Sequence, residues 1–282
     1  MKRVVIVGYP LGHSLSPVMH NAALTELGLD DEFKYEAMPL SSNELRGFVE
    51  SVRRREIEGA SITIPHKTKV MTYLSTISSE GLAVGAVNTL HRKDGLVIGS
   101  NTDIQGFTEA IRENGLDPQG INAVILGAGG AARSVAYGLT EAGVARLGIF
   151  NRTVDAANRL ASVMPRGRLL KVRSGAKPTK DDLEHSDLLV NCTPVGMAGY
   201  SPEESPIESS LLSSSVVVMD LVYNPLRTKL LMEADEAGCK TIDGVGMLVH
   251  QGAIAFQLWT GKKAPVEVMK DTVLRALVGN DR

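Results

Sequence analysis

Short apolar runs alternate with longer amphipathic stretches along the whole of this 282-residue chain. That alternation predicts buried, mostly parallel strands joined by helices. In the N-terminal part it predicts strands at 4–8, 33–38 and 60–64. Helices are predicted at 17–27, from Ser42 or Asn43 to about Arg54, and at 67–74. Ser16 is placed to cap the first helix, with Pro17 in its first turn and Gly28 just past its end. Segments 87–91 and 96–100 read as a hairpin about Lys93-Asp94-Gly95, and 102–113 as a helix stopped at Asn114-Gly115. Further on, strands are expected at 123–126, 146–150, 169–172, 188–192 and 216–220. Helices fill 130–142, about 155–163 and about 228–237, and the tail from 247 to 277 is helical in pattern. The whole is an α/β chain: an N-terminal α/β domain, then a doubly wound parallel sheet, with the C-terminal helices crossing back to the first domain. The stretch 197–215, rich in Ser, Pro and Glu, reads as a surface excursion, either a plain loop or a functional lid.

The run Ala123-Val124-Ile125-Leu126 leads into Gly127-Ala128-Gly129-Gly130-Ala131-Ala132. A buried strand entering a glycine turn and a helix is the pattern that receives a dinucleotide pyrophosphate. The glycines permit the turn and a close backbone approach, and the helix N-terminus supplies free N–H groups. The next strand ends in Asn151-Arg152-Thr153, with no acid to bind a ribose 2′-hydroxyl. Arg152 stands where a guanidinium holds a 2′-phosphate, so the cofactor read from this turn is NADP. The alternative is a glycine-rich turn that binds nothing.

Charge and composition narrow the partners. Net charge is −2, with 43% hydrophobic and 22% charged residues, values of an ordinary globular protein with no electrostatic case for nucleic acid or an anionic membrane. Cys192 and Cys239 are too few for a disulfide framework and are expected reduced, in the cytoplasm. The basic start at Met1-Lys2-Arg3 precedes an apolar run too short for a signal peptide, and no stretch is long enough to span a membrane.

Polar clusters gather at the predicted strand ends. Ser14 and Ser16, two apart in an extended segment, face one side and suit an anion, unless Ser16 only caps its helix. Ser61 and Thr63 share a face of their strand, Pro65 ends it, and Lys67 follows, where open α/β sheets place their chemistry. Asn88, Asn101 and Asp103 add donors and an acceptor, although Asp103 also suits a helix cap. Gly244 and Gly246 precede Gln251, which is able to reach a polyol. His13, His20 and His66 are read as structural or supporting, and no histidine has metal-binding spacing.

Taken in order, these stretches resemble the shikimate dehydrogenases: Ser14-Leu15-Ser16-Pro17 with His20-Asn21, Thr63-Ile64-Pro65-His66-Lys67, Gly85 to Thr89, Asn101-Thr102-Asp103, the glycine turn, Asn151-Arg152-Thr153, and Gly244 to Gln251. The resemblance implies a substrate domain at 1–101, an NADP-binding Rossmann domain at 102–240, and C-terminal helices at 241–282 packing back on the first. It implies interconversion of shikimate and 3-dehydroshikimate with NADP, in aromatic amino-acid biosynthesis, by a monomer or homodimer. Lys67 and Asp103 are the implied catalytic pair. Ser14, Ser16, Thr63, Asn88, Asp103, Tyr223 and Gln251 are the implied substrate contacts. Gly127, Ala128, Gly129, Gly130, Ala131, Asn151, Arg152, Thr153, Leu221 and Gly244 are the implied cofactor contacts. One departure stands out. The family often has a second basic residue three positions after the Thr of Asn-Arg-Thr, and this chain has Ala156 there, beside Asp155. Arg152 is therefore expected to carry NADP discrimination alone. The alternatives are an NAD-dependent quinate/shikimate enzyme, a folate-linked dehydrogenase of the same architecture, and a non-catalytic regulator; the last would lack Lys67 or Asp103.

Overall fold

The computed structural model describes residues 1–12, 14–164 and 171–280. The chain divides into two compact units, 1–106 with 249–282, and 107–248. Both divisions fall a few residues later than the boundaries read from sequence.

The first unit is built on a six-stranded sheet in the order β2-β1-β3-β5-β6-β4. Its strands are β1 (Lys2–Gly8), β2 (Phe33–Pro39), β3 (Gly59–Ile62), β4 (Thr76–Ile77), β5 (Thr89–Lys93) and β6 (Leu96–Ser100). β1 runs parallel to β2 and β3, while β5 runs antiparallel to β3 and to β6. β6 therefore points the same way as β3. The carboxyl ends of β1, β3 and β6 and the amino end of β5 share one edge.

Helices α1 (Ser16–Glu26), α2 (Leu45–Arg53) and α3 (Ser79–Val84) complete the βα units of this part of the chain. α2 shows the underlying logic: Leu45, Phe48, Val49 and Val52 recur at helical spacing and are buried, against a core that includes Val5, Val7, Ile62 and Leu90. The C-terminal helices α9 (Val245–Thr260) and α10 (Val266–Asn280) bring residues 249–280 into the same unit. There α10 packs on α1, and Trp259 Nε1 donates to the Leu90 carbonyl at 2.9 Å.

The second unit carries a fully parallel sheet, β12-β11-β10-β7-β8-β9. Its strands are β7 (Asn122–Leu126), β8 (Arg146–Phe150), β9 (Lys171–Gly175), β10 (Leu188–Asn191), β11 (Val217–Asp220) and β12 (Lys240–Ile242). Order reverses between β10 and β7, so a crevice opens at their carboxyl ends, the usual ligand position in such sheets. Helix α4 (Asp103–Glu113) leads into the unit, and α5 (Gly130–Glu141), α6 (Val154–Val163), α7 (Lys180–Glu184) and α8 (Lys229–Glu236) lie between its strands in sequence. β7 and β10 are buried almost throughout, as strands covered on both faces must be.

Several elements depart from the sequence reading. Ser16 does not cap α1: the helix begins at Ser16 itself, Leu15 takes the cap position, and the Ser14 hydroxyl accepts the Ser16 N–H at 3.4 Å. β3 ends at Ile62, leaving Thr63 just beyond it. The strand placed at 169–172 is β9 at Lys171–Gly175, and residues 169–170 lie outside the described residues. α3, α7, β4 and β12 were not anticipated. α3 and α7 are too short to show an apolar period, although each is announced by its cap: Ser78 accepts from Gly81, and Thr179 with Asp182 forms a capping box. β12 is an edge strand held by pairing with β11, which local sequence does not reveal.

Candidate active site and dinucleotide turn

Lys67 is fixed before its side chain makes any contact. Thr63 N donates to the Val7 carbonyl, Val87 N donates to the Lys67 carbonyl, and the buried His66 ring bonds the Leu40 carbonyl at 2.7 Å. The segment after β3 is thereby tied to β1, to the residue after β2 and to the segment that leads into β5. From it the Lys67 ammonium reaches Asp103 Oδ2 at 2.7 Å, with the two side chains 15% and 5% exposed. Asp103 is the first residue of α4, so a capping role was the competing reading. Asn101 fills that role: its Oδ1 accepts the backbone N–H groups of Asp103 and Ile104. The Asp103 carboxylate is left to hold Lys67.

The other Asp103 oxygen accepts from Asn88 Nδ2 at 2.8 Å, and the same amide group contacts Thr102 Oγ1 at 2.9 Å and Gln251 Oε1 at 3.4 Å. Asn88 Oδ1 accepts from Thr102 N and Thr89 Oγ1, so the carboxamide is locked in one orientation. Gln251 enters because residue 106 is a glycine: a Cβ there would stand 2.7–3.0 Å from the Gln251 backbone and side chain. Lys67, Asn88, Asp103 and Gln251 thus form one network, buried at Asn88 and Asp103 and partly exposed at Lys67 and Gln251, with a cation among fixed polar groups. Ser14, Ser16 and Thr63 lie at the same carboxyl edge of the sheet. Sequence reading missed Tyr35, whose hydroxyl donates to Ser61 Oγ at 2.7 Å; His20, read as structural or supporting, is stacked on Tyr35 at 4.3 Å. His20 is sealed among aromatic rings, and burial pushes its imidazole down to about 3. Both are consistent with a structural role. His13 lies outside the described residues.

In the second unit the glycine turn has the geometry its pattern suggested. Gly127 adopts φ +112°, and its N–H donates to the Phe150 carbonyl at 2.7 Å, joining β7 to β8 at their carboxyl ends. Gly129 takes the cap position of α5 with no side-chain cap, and nothing lies within 4 Å of where its Cβ would be. The first-turn N–H groups at Gly130, Ala131 and Ala132 have no helical acceptor by position, so with Ala128 they line an open, positively polarised cradle. This fits a pyrophosphate. Beside it, Asn151 Nδ2 donates to the Thr153 carbonyl and orders the turn that presents exposed Arg152. Thr153 takes the cap position of α6, again without a side-chain cap hydrogen bond. Across the sheet, the Leu221 carbonyl lies 2.5 Å from where a Gly244 Cβ would stand, so those two positions also come together. Tyr223 is on the turn after β11, in this second unit.

Comparison with known proteins decides the family. Models of the shikimate dehydrogenase substrate binding domain, shikimate/quinate 5-dehydrogenase and the shikimate 5′-dehydrogenase C-terminal domain match residues 6–90, 109–204 and 244–274. The NADP(+) shikimate dehydrogenase of Methanopyrus kandleri is 45% identical over 97% of this chain and 95% of its own. The chain belongs to the shikimate dehydrogenase family. Among solved shikimate dehydrogenases, that of Thermus thermophilus in complex with NADP(H) and shikimate superposes with a TM-score of 0.87, at 39% identity over 98% of this chain and all of that one. The ligand-free 5-ketofructose reductase of a Gluconobacter strain is 31% identical, with a TM-score of 0.83 over 98% of each chain. One fold thus carries more than one carbonyl reductase, and the substrate has to be argued from the site.

Proposed function

We propose that this chain interconverts shikimate and 3-dehydroshikimate with NADP(H), using 1–101 as substrate domain, 102–240 as cofactor domain and 241–282 as helices supporting the first. The observation that carries the reading is the Lys67–Asp103 pair, held by Asn88, which also contacts Gln251, at the carboxyl edge of the first sheet. When bound, the cofactor would supply a hydride as NADPH or accept one as NADP+. In the reducing direction the Lys67 ammonium donates a proton to the substrate carbonyl oxygen, and in oxidation Lys67 takes the hydroxyl proton back. Asp103 keeps the Lys67 side chain in place, as the amine that accepts the proton in oxidation and the ammonium that donates it in reduction, and accepts a hydrogen bond from a ring hydroxyl. Asn88 and Gln251 offer amide groups to further hydroxyls. Ser14 and Ser16 hold the carboxylate, with Thr63 beside them. Since Ser16 has no capping duty, its buried hydroxyl is consistent with that assignment. Tyr223 is assigned a further substrate contact by the resemblance.

The cofactor would be held by Gly127, Ala128, Gly129, Gly130 and Ala131 at the pyrophosphate and by Asn151, Arg152 and Thr153 at the adenosine ribose. Leu221 and Gly244 would lie against the nicotinamide. A cytoplasmic location suits a chain whose two cysteines form no disulfide, and the resemblance implies a monomer or homodimer. The deciding experiment follows absorbance of the reduced cofactor with shikimate or quinate, and NADP or NAD, in all combinations. Shikimate with NADP should be the fastest pair. Faster turnover of quinate, or of NAD, would refute the assignment.

A further inference from the structure

Arg133 closes the first turn of α5, half-buried, and its Nε is sealed from solvent with no hydrogen-bond partner. Burial, with the charge of Arg159 on α6 added to it, pushes the Arg133 guanidinium below the ordinary arginine range. Among the described residues neither arginine pairs with a carboxylate, and neither does Arg152. Asp155 precedes Arg159 by one helical turn, yet no ion pair forms between them. Burying one cation beside another loses hydration and adds repulsion. Such a pair is best explained by an anion that offsets it.

Placement says which anion. α5 follows β7 and α6 follows β8, neighbouring parallel strands whose last residues, Leu126 and Phe150, are in register. Both helices therefore start at the same sheet edge, with Arg152 on the turn between β8 and α6. Ala156 and Arg159 share a face of α6, so Arg159 offers charge one turn beyond a position that has none. We propose that Arg133 and Arg159 form a second cationic arm, beside Arg152, for the 2′-phosphate on the adenosine ribose of the cofactor. The proposal rests on the NADP reading and differs from the expectation that Arg152 discriminates alone. Two guanidinium forks match the oxygens of a phosphate monoester, whereas a bare ribose hydroxyl would leave their charge uncompensated.

The test uses the full chain and two probes, adenosine 2′,5′-bisphosphate and AMP, titrated by calorimetry. Wild-type protein should bind the bisphosphate more tightly. Arg159→Ala, on an exposed position, should weaken bisphosphate binding about three- to fivefold and leave AMP unchanged. Arg133→Met, which keeps the length and removes the charge, should weaken it about tenfold or more. A thermal melt accompanies both variants, and if Arg133→Met fails to fold, Arg159→Ala decides. Bisphosphate affinity that falls less than about threefold in Arg159→Ala, while Arg152→Ala loses it, would overturn the second arm and leave the cofactor reading standing. Equal affinity of wild type for the two probes would overturn the cofactor reading, and the arm with it.

Discussion

At the scale of single residues, the Lys67–Asp103 pair concentrates the chemistry. A half-sequestered ammonium at 2.7 Å from a buried carboxylate is positioned by charge and by the backbone ties on either side of it. Lys67→Ala should reduce turnover by ~10²–10⁴-fold, the usual contribution of a general acid–base group. Shikimate binding, measured by calorimetry, should stay within about fivefold. Asp103 would then be a buried charge without its partner, so the melting temperature should fall as well. Turnover within about threefold of wild type in the folded variant would remove Lys67 from the chemistry. Lys67 was legible because it follows a buried strand and a proline. The role of Asp103 was not, because its competition with a capping role is resolved only by Asn101, which takes both N–H groups. Arg133 escaped notice for a related reason: sequence shows an arginine, and only packing shows that its Nε is sealed.

At the scale of elements, the turn after β11 shows how a strand end is held. Asp220 is fully buried, and its carboxylate accepts from Asn191 Nδ2 at 2.8 Å, Val222 N at 3.0 Å and Thr228 Oγ1 at 2.7 Å. These bonds fasten β10, the 221–223 turn and the start of α8 to one side chain. Burial outweighs them and pushes the carboxyl up to about 6. Asp220→Asn places an amide donor where only donors already point. It should therefore cost roughly 1–3 kcal/mol in urea unfolding at pH 7. A change below about 0.5 kcal/mol would show that the network does not hold the turn. Sequence reading gave β11 and α8 from their apolar patterns. It missed the clasp between them, which depends on side chains brought together from three separate segments.

For the molecule as a whole, two buried groups pull acid stability in opposite directions. His20 is neutral in the fold at about 3 against an ordinary 6.5, so its contribution is complete above pH 6.5 and is lost as pH falls toward 3. Asp220 has the opposite sign: raised from 3.8 to about 6, it favours the fold most below 3.8 and loses that contribution as pH rises through 6. Replacing His20 with Phe, another ring among Tyr35, Phe256 and Trp259, isolates the first effect. Between pH 7 and pH 5 the stability of His20→Phe relative to wild type should rise by about 2 kcal/mol, read from urea unfolding at each pH. A constant difference would mean that His20 does not titrate in that range. The alternation of apolar runs and amphipathic stretches determined the α/β class, the order of most elements and the glycine turn, because periodicity and turn chemistry act between neighbours in the chain. Tertiary structure decided which polar groups meet. Lys67 finds Asp103 and Asn88 finds Gln251 only once strands are paired and helices packed, since those contacts join residues far apart in sequence.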